Sequence, residues 1–283
     1  MPAFPAFRFR SAALALLALA LAGCSTSPAR APAAPAPEQA ASGKAIGYLA
    51  AAAVPASLQL LPAPPAEGSP GQALDQAVNR EALTLRGSAR WHQAARDADL
   101  SFPAGAGQFA CALGVPIDAQ RTPHLYTLLE RSRIDASAAT KAAKNHYRRL
   151  RPFMLNQLPV CTPDDEDGLR HSGSYPSGHS AIGWAWALIL GEIAPDRADA
   201  LIARGRNYGE SRLVCNVHWQ SDVLAGRFMG AATVARLHAD PAFRADLEGA
   251  RTEIADARAQ GLTPAQDCAA ETTTLQVRPE SAL

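Results

Sequence analysis

An all-α fold is the class that the sequence predicts, and three observations predict it. Apolar residues recur at three- and four-residue spacing through most of the chain. Apolar/polar alternation, the mark of a half-buried strand, is scarce. Pro152, Pro195 and Pro241 stand where helical patterns should stop, because proline lacks an N–H and clashes with the preceding turn. No internal repeat is detectable, so a single helical-bundle domain is expected rather than a solenoid.

At the start of the chain, Arg8 and Arg10 precede an apolar run from Ala12 to Ala22, which closes with Leu21-Ala22-Gly23-Cys24. A basic head, a short apolar stretch and small residues before a cysteine resemble a bacterial lipoprotein signal. Residues 1–23 are therefore read as a signal peptide and Cys24 as the lipidated residue. An ordinary secretory signal is the alternative, and both export the chain. Ser25 behind the cysteine fits outer-membrane sorting, so the expected location is the periplasmic side of the envelope, either lipid-anchored or free. Residues 24–44 are Ala, Pro and Ser with little to bury, and read as a flexible tether. The folded domain is placed at 45–270 and a C-terminal tail at 271–283.

Within the domain, Tyr48 to Leu61 is short and apolar. The Leu61-Pro-Ala-Pro-Pro stretch behind it reads as an extended segment packed along the body. Leu74, Ala77, Val78, Ala82, Leu83 and Leu85 then mark a helix from Gln72 to near Gly87. Further helices are expected over Leu125 to Ile134, Ala136 to Leu150, Ser180 to Ile193, Asp196 to Tyr208 and Val223 to His238.

Of the 283 residues, 48% are hydrophobic and 19% charged, as in a globular domain. The 27 Lys and Arg nearly cancel the 26 Asp and Glu, which excludes a nucleic-acid polymer as partner by charge alone. Any preference for anions must be local. Beyond the leader no apolar run reaches the length of a membrane span, so the N-terminal lipid is the expected membrane attachment. Cys111, Cys161, Cys215 and Cys268 remain after Cys24. None is spaced like a zinc ligand, so two disulfides are expected in an oxidising compartment, with three connectivities open.

Three segments carry candidate chemistry. In Lys144-Asn-His-Tyr-Arg-Arg-Leu-Arg151-Pro152, helical spacing would set Lys144, Arg148 and Arg151 along one basic stripe. In Gly173-Ser-Tyr-Pro-Ser-Gly-His179, a tight turn opens an apolar helix. Such a helix start presents free N–H groups to an anion, with Ser177 adding a hydroxyl, Gly178 allowing close approach and His179 adding a titratable group. In Ser211-Arg212-Leu-Val-Cys-Asn-Val-His218-Trp-Gln-Ser-Asp222, a His and an Asp four apart would share a helix face, leaving one imidazole nitrogen free to attack. The acidic run Asp164-Asp-Glu-Asp167 reads as a solvated loop rather than a metal site. His92, His124, His146 and His238 read as structural, whereas Arg170 and His171 can rim the pocket.

The order Lys-x6-Arg-Pro, Pro-Ser-Gly-His, Ser-Arg-x5-His-x3-Asp resembles the signature of the type-2 phosphatidic acid phosphatase and vanadium haloperoxidase superfamily. The context of the last two segments is similar to that of the bacterial class A non-specific acid phosphatases. The likeness extends through Leu61-Pro-Ala-Pro-Pro, Asp97-Ala-Asp99-Leu-Ser and Ala142-Ala-Lys-Asn-His-Tyr, covering roughly Tyr48 to Leu247. It implies the helical fold of that superfamily and hydrolysis of small phosphomonoesters without metal or cofactor. Lys144, Arg151, Ser177, Gly178 and Arg212 would hold the phosphoryl group. His218 would attack and become phosphohistidine, Asp222 would orient it, and His179 would protonate the leaving alcohol. Inorganic phosphate or vanadate would inhibit, phosphotransfer to an alcohol would compete with hydrolysis, and a homodimer is the expected assembly. The nearness of Cys161 and Cys215 to the signature segments favours that pair, leaving Cys111 with Cys268. Two other readings are a vanadium-dependent haloperoxidase, against which the context of Tyr175 and Trp219 argues, and a non-catalytic phosphate-binding lipoprotein, which needs no His–Asp pair.

Overall fold

The computed structural model describes residues 45–283. The expected signal peptide 1–23, the expected lipidation at Cys24 and the expected tether 24–44 lie outside the described residues. Among the described residues every regular element is helical. Eight of them carry the fold: α1 (Pro70–Leu83), α2 (Ala89–Arg96), α3 (Pro123–Tyr147), α4 (Gly178–Ile193), α5 (Ala198–Val214), α6 (Gln220–Leu237), α7 (Pro241–Ala259) and α8 (Cys268–Leu275). Single turns of α- or 3-10 helix fill much of the remainder.

The helix starts follow local chemistry. Side chains of Ser69, Ser88, Asp240 and Asp267 cap α1, α2, α7 and α8 by accepting first-turn N–H groups. Pro70, Pro123 and Pro241 occupy first helical positions. There the missing N–H has no intrahelical partner to lose. Pro152 likewise opens the short helix Pro152–Asn156, and Pro195 a 3-10 turn. The preceding helices stop at Tyr147 and Leu237, as expected, and Pro152 and Pro241 then begin new ones.

Two expected helices, 125–134 and 136–150, are one continuous helix, α3, which stops at Tyr147. Asp135 at the expected break is buried because its carboxylate accepts the N–H groups of Tyr48 and Leu49 at 2.8 and 3.1 Å. Helix α5 runs six residues beyond the expected Tyr208, carrying Ser211 and Arg212 into its last turn. Helix α7, unread from the sequence, buries Phe243, Leu247, Ala250, Ile254 and Ala257 at alternating four- and three-residue spacing.

Helix α4 sits in the core and is apolar almost all round, with Ala181, Ile182, Ala185, Trp186, Ile189 and Leu190 buried. Trp186 donates its indole N–H to Leu129 O at 2.9 Å and meets Phe102, Phe109 and Tyr208 with ring centroids within 6.0 Å. Helices α3, α5 and α6 pack around it. The approach of α6 is close because Gly226 and Gly230 face α4. A Cβ at Gly226 would lie 2.4 Å from Ser177 O, and one at Gly230 2.5 Å from Ala181 O.

The segment set apart as a tail, 271–283, is bound to the body. Arg278 makes a two-pronged ion pair with buried Glu210 at 2.6 Å, and Ser281 donates N–H and O–H to Glu81. Both expected disulfides are present, Cys161–Cys215 and Cys111–Cys268, with Cα separations of 4.7 and 5.3 Å. Gly226→Ala should lower stability by about 1–3 kcal/mol, since the added methyl meets a backbone carbonyl rather than a movable side chain. Denaturant titration reads this directly, and an unchanged midpoint would contradict the close approach.

Candidate active site

The three signature segments meet where the C-terminal ends of α3 and α5 converge on the N-terminal ends of α4 and α6. Lys144 lies in the last turn of α3, and its ammonium donates to Gly173 O and Pro176 O at 2.9 and 3.0 Å. Arg148 then takes a left-handed conformation, φ 44°, which ends the helix and redirects the chain. The expected basic stripe therefore does not form: Arg148 is exposed with its Nε donating to Asn145 O, while Arg151 turns inward.

Arg151 is 3% exposed, and each of its three side-chain nitrogens donates to an acceptor. Its Nε donates to Leu169 O and Ser172 O, Nη2 to Gly173 O, and Nη1 to Val217 O, with Nη1 also 3.2 Å from His218 Nε2. A guanidinium can only donate, so Nε2 of His218 carries the lone pair and Nδ1 the hydrogen. Nδ1 stands 3.3 Å from Asp222 Oδ2, which completes that tautomer.

His218 and Asp222 do not share a helix face. His218 precedes α6, Trp219 caps it, and Asp222 in its first turn accepts Trp219 N–H at 2.8 Å as well as the imidazole hydrogen. The loop reaches this position through Arg212 O, which accepts the N–H groups of Val217 and His218, and through Asn216 at φ 63°. Asn216 is itself held by Asn79, Asn156 and Leu158 O. The Cys161–Cys215 bridge fastens the same loop from the other side.

Ser177 is the N-cap of α4. Its Oγ accepts from Ser180 N and Ser180 Oγ at 3.2 and 2.9 Å, which leaves its own hydrogen to donate. Gly178 and His179 follow at the first two helical positions, whose N–H groups have no intrahelical acceptor. His179 Nε2 donates to Ala98 O at 2.9 Å, so Nδ1 is the nitrogen left available. Arg212 is 1% exposed, and its buried Nε has no hydrogen-bond partner among the described residues.

Among the described residues, Lys144, Arg151 and Arg212 have no carboxylate within ion-pair distance. Burial, then neighbouring Arg151, pulls the Lys144 pKa down to about 7. Burial, then Arg212, lowers Arg151 to about 10, and burial lowers Arg212 to about 10. Burial also depresses both histidines well below the usual imidazole value, with Arg212 acting on His179 and Arg151 and Lys144 on His218. The Ala98 carbonyl opposes this at His179 by favouring its charged form. The arrangement concentrates donors and positive charge on one small space between two neutral imidazoles.

Sequence reasoning missed three contributors. Arg149, inside the Lys-x6-Arg-Pro spacing, bonds Asp222 Oδ1 at 2.7 Å. Asp75 on α1 bonds Arg149, and its place beside Val78 and Ala82 on a buried face was a legible signal. Asp97 is buried against Arg204 and Ser211, and so fixes the turn whose next carbonyl holds His179. His171 and Arg170 line a cleft of about 500 Å³ beside Lys144 and Gly173, with His171 largely exposed. Asp164 to Asp167 form an exposed 3-10 turn and helix start rather than a loop, with Glu166 paired to Arg170.

Sulfate, a dianion throughout the range, should bind about tenfold more tightly at about pH 6 than at about pH 8. Lys144 gains its charge as pH falls through about 7, while burial and the neighbouring cations hold both imidazoles toward the neutral form in the unliganded pocket. Calorimetry should show this gain in wild type and a smaller one in Lys144→Met; a flat wild-type profile would contradict the assignment.

Comparison with known proteins places this geometry in a family. Residues 131–245 match the model of the PAP2 superfamily. An acid phosphatase of Zymomonas mobilis subsp. mobilis is 44% identical over 207 residues, covering 73% of this chain and 78% of that protein. A non-specific acid phosphatase of Providencia stuartii is 44% identical over 200 residues, 70% of this chain and 81% of that protein. One of Salmonella typhimurium is 43% identical over 197 residues, 69% of this chain and 79% of that protein. With most of both chains aligned and all three signature segments brought to one place, this chain belongs to the acid phosphatase family of the PAP2 superfamily.

Proposed function

We propose that the chain is an exported acid phosphatase that hydrolyses small phosphomonoesters through a phosphohistidine at His218, without a metal ion. The observation that carries the mechanism is the tautomer of His218: Asp222 takes the Nδ1 hydrogen, and the Nε2 lone pair faces the cationic pocket. In phosphoryl transfer most of the catalysis is positioning plus stabilisation of charge on the equatorial oxygens. Lys144, Arg151, Arg212, the Ser177 hydroxyl and the Gly178 N–H supply both.

In the first step Arg151 Nη1 exchanges Nε2 for a phosphoryl oxygen. Nε2 forms a bond to phosphorus as the ester oxygen leaves, and His179 Nδ1 gives that oxygen its proton. In the second step His179 Nδ1 takes a proton from water, whose oxygen attacks phosphorus and releases Nε2. Asp222 balances the positive charge that the imidazole carries between the steps. An alcohol in place of water gives phosphotransfer.

The protonation demands set the pH dependence. His218 must be neutral to attack, and the cations around it keep it so. His179 must be charged to donate. The cations oppose that charge, whereas a bound phosphate dianion and the Ala98 carbonyl favour it. Protonation of His179 is therefore coupled to substrate binding, which favours a mildly acidic optimum.

Rapid quenching with labelled aryl phosphate should trap a base-stable, acid-labile label on wild type. His218→Ala should lose the label and at least about a thousandfold in kcat. Turnover without label at His218 would overturn the covalent mechanism. Activity should also survive dialysis against EDTA, and a strict need for added divalent metal would overturn metal independence. Expressed with its leader, the chain should incorporate labelled fatty acid, and Cys24→Ser should not; equal incorporation would remove the anchor assignment.

A further inference from the structure

We infer that Arg149, itself clamped by Asp75, is the positioning residue that holds Asp222 in register with His218. The inference rests on the His218 and Asp222 roles proposed above.

The case begins with charge. Asp222 is fully buried, and a buried carboxylate needs a counter-charge and a hydrogen bond on each oxygen. Its Oδ2 is shared by Trp219 N–H and the His218 imidazole, which is neutral in this pocket. The cation that compensates it is Arg149, whose Nη1 donates to Oδ1 at 2.7 Å. The guanidinium pKa is raised, because Asp222 and Asp75 outweigh the opposing effect of burial. Arg149 is therefore a permanent charge at this position.

Geometry supplies direction as well. Arg149 Nη1 also donates to Ser221 Oγ, and Nη2 donates to Asp75 Oδ2 at 2.7 Å. Asp75 in turn accepts Ser221 N–H at Oδ1 and Ser221 O–H at Oδ2. The guanidinium lies 5.5 Å from the Trp219 ring centroid, and Trp219 donates its indole N–H to Leu150 O. The Arg149 side chain is thus fixed on three sides, and Asp222 cannot rotate about its carboxyl bond without breaking the Oδ1 contact. Asp75 and Asp222 carry two negative charges and Arg149 one positive, so the cluster retains one net negative charge. That is the complement of the single positive charge His218 acquires when its Nε2 is phosphorylated.

Among the described residues the side-chain hydrogen bonds of Arg149 go to Asp75, Ser221 and Asp222 and to none of the anion-binding groups, so its role separates from theirs in the kinetics. Removing it should slow phosphorylation of His218 while leaving anion affinity alone. Positioning groups one step removed from the reacting centre are worth about 10- to 100-fold in activity.

The test is a double-mutant cycle on the full chain, read by kcat, the rate of His218 labelling and sulfate affinity. Arg149→Gln should lower kcat and labelling by about 10- to 100-fold, with sulfate affinity within about twofold of wild type. Arg149→Lys, which keeps the charge but not the fork, should recover part of the loss. In an Asp222→Asn background, Arg149→Gln should cost no more than about threefold further, because its target is already gone. A full-sized further loss in that background, or a matching loss of sulfate affinity, would overturn the inference. Should Arg149→Gln fail to fold, Asp75→Asn and Arg149→Lys carry the same cycle and the same criteria. If Asp222→Asn alone leaves kcat and labelling unchanged, the His–Asp reading falls; if it is costly and the Arg149 variants are not, only this inference falls.

Discussion

Half-buried Lys144 and buried Arg151 and Arg212 surround one neutral imidazole, and the rest of the structure is arranged to tolerate that concentration of charge. Among the described residues, none has a carboxylate within ion-pair distance. Lys144 and Arg151 are instead solvated by backbone carbonyls from two segments, Leu169, Ser172, Gly173 and Pro176 in one and Val217 in the other. Carbonyl dipoles compensate a buried cation only partly, so positive potential remains in the space between the side chains. The depressed Lys144 and histidine pKa values are the local expression of that surplus.

Holding such a cluster requires a stiff frame, and helix ends supply it. The C-terminal turns of α3 and α5 deliver Lys144 and Arg212, while the N-terminal turns of α4 and α6 deliver free N–H groups and Asp222. Asp222 O accepts Ser177 N–H, and Arg149 O accepts Ser174 N–H, so each signature segment is bonded to another. The glycines that let α6 touch α4 sit directly behind the Pro-Ser-Gly-His turn. Packing and polar geometry therefore depend on the same few contacts.

Much of this was legible in the sequence, and the exceptions share a cause. Helical periodicity gave the class because each helix buries a face of its own. The continuity of α3 through Asp135 was hidden, since the partners of that acid lie 86 and 87 residues away in sequence. The basic stripe failed because Arg148 adopts a left-handed turn that no periodicity encodes. The His–Asp spacing suggested a helix face, whereas a helix start brings the pair together through an N-cap. Arg149 and Asp75 are 74 residues apart and carry no motif, so their pairing required coordinates.

Arg151 is anchored by the main chain of the rim, through the carbonyls of Leu169, Ser172 and Gly173, and not by any rim side chain. An anchor of that kind is blind to amino-acid identity. Substitutions at exposed positions such as Arg170 and His171 can accumulate while the cation stays where it is. Variation there can reshape the cleft beside Lys144 and Gly173 without moving Arg151. The chemistry is shielded from that variation, and a family built this way can diverge in what it accepts while preserving what it does to it.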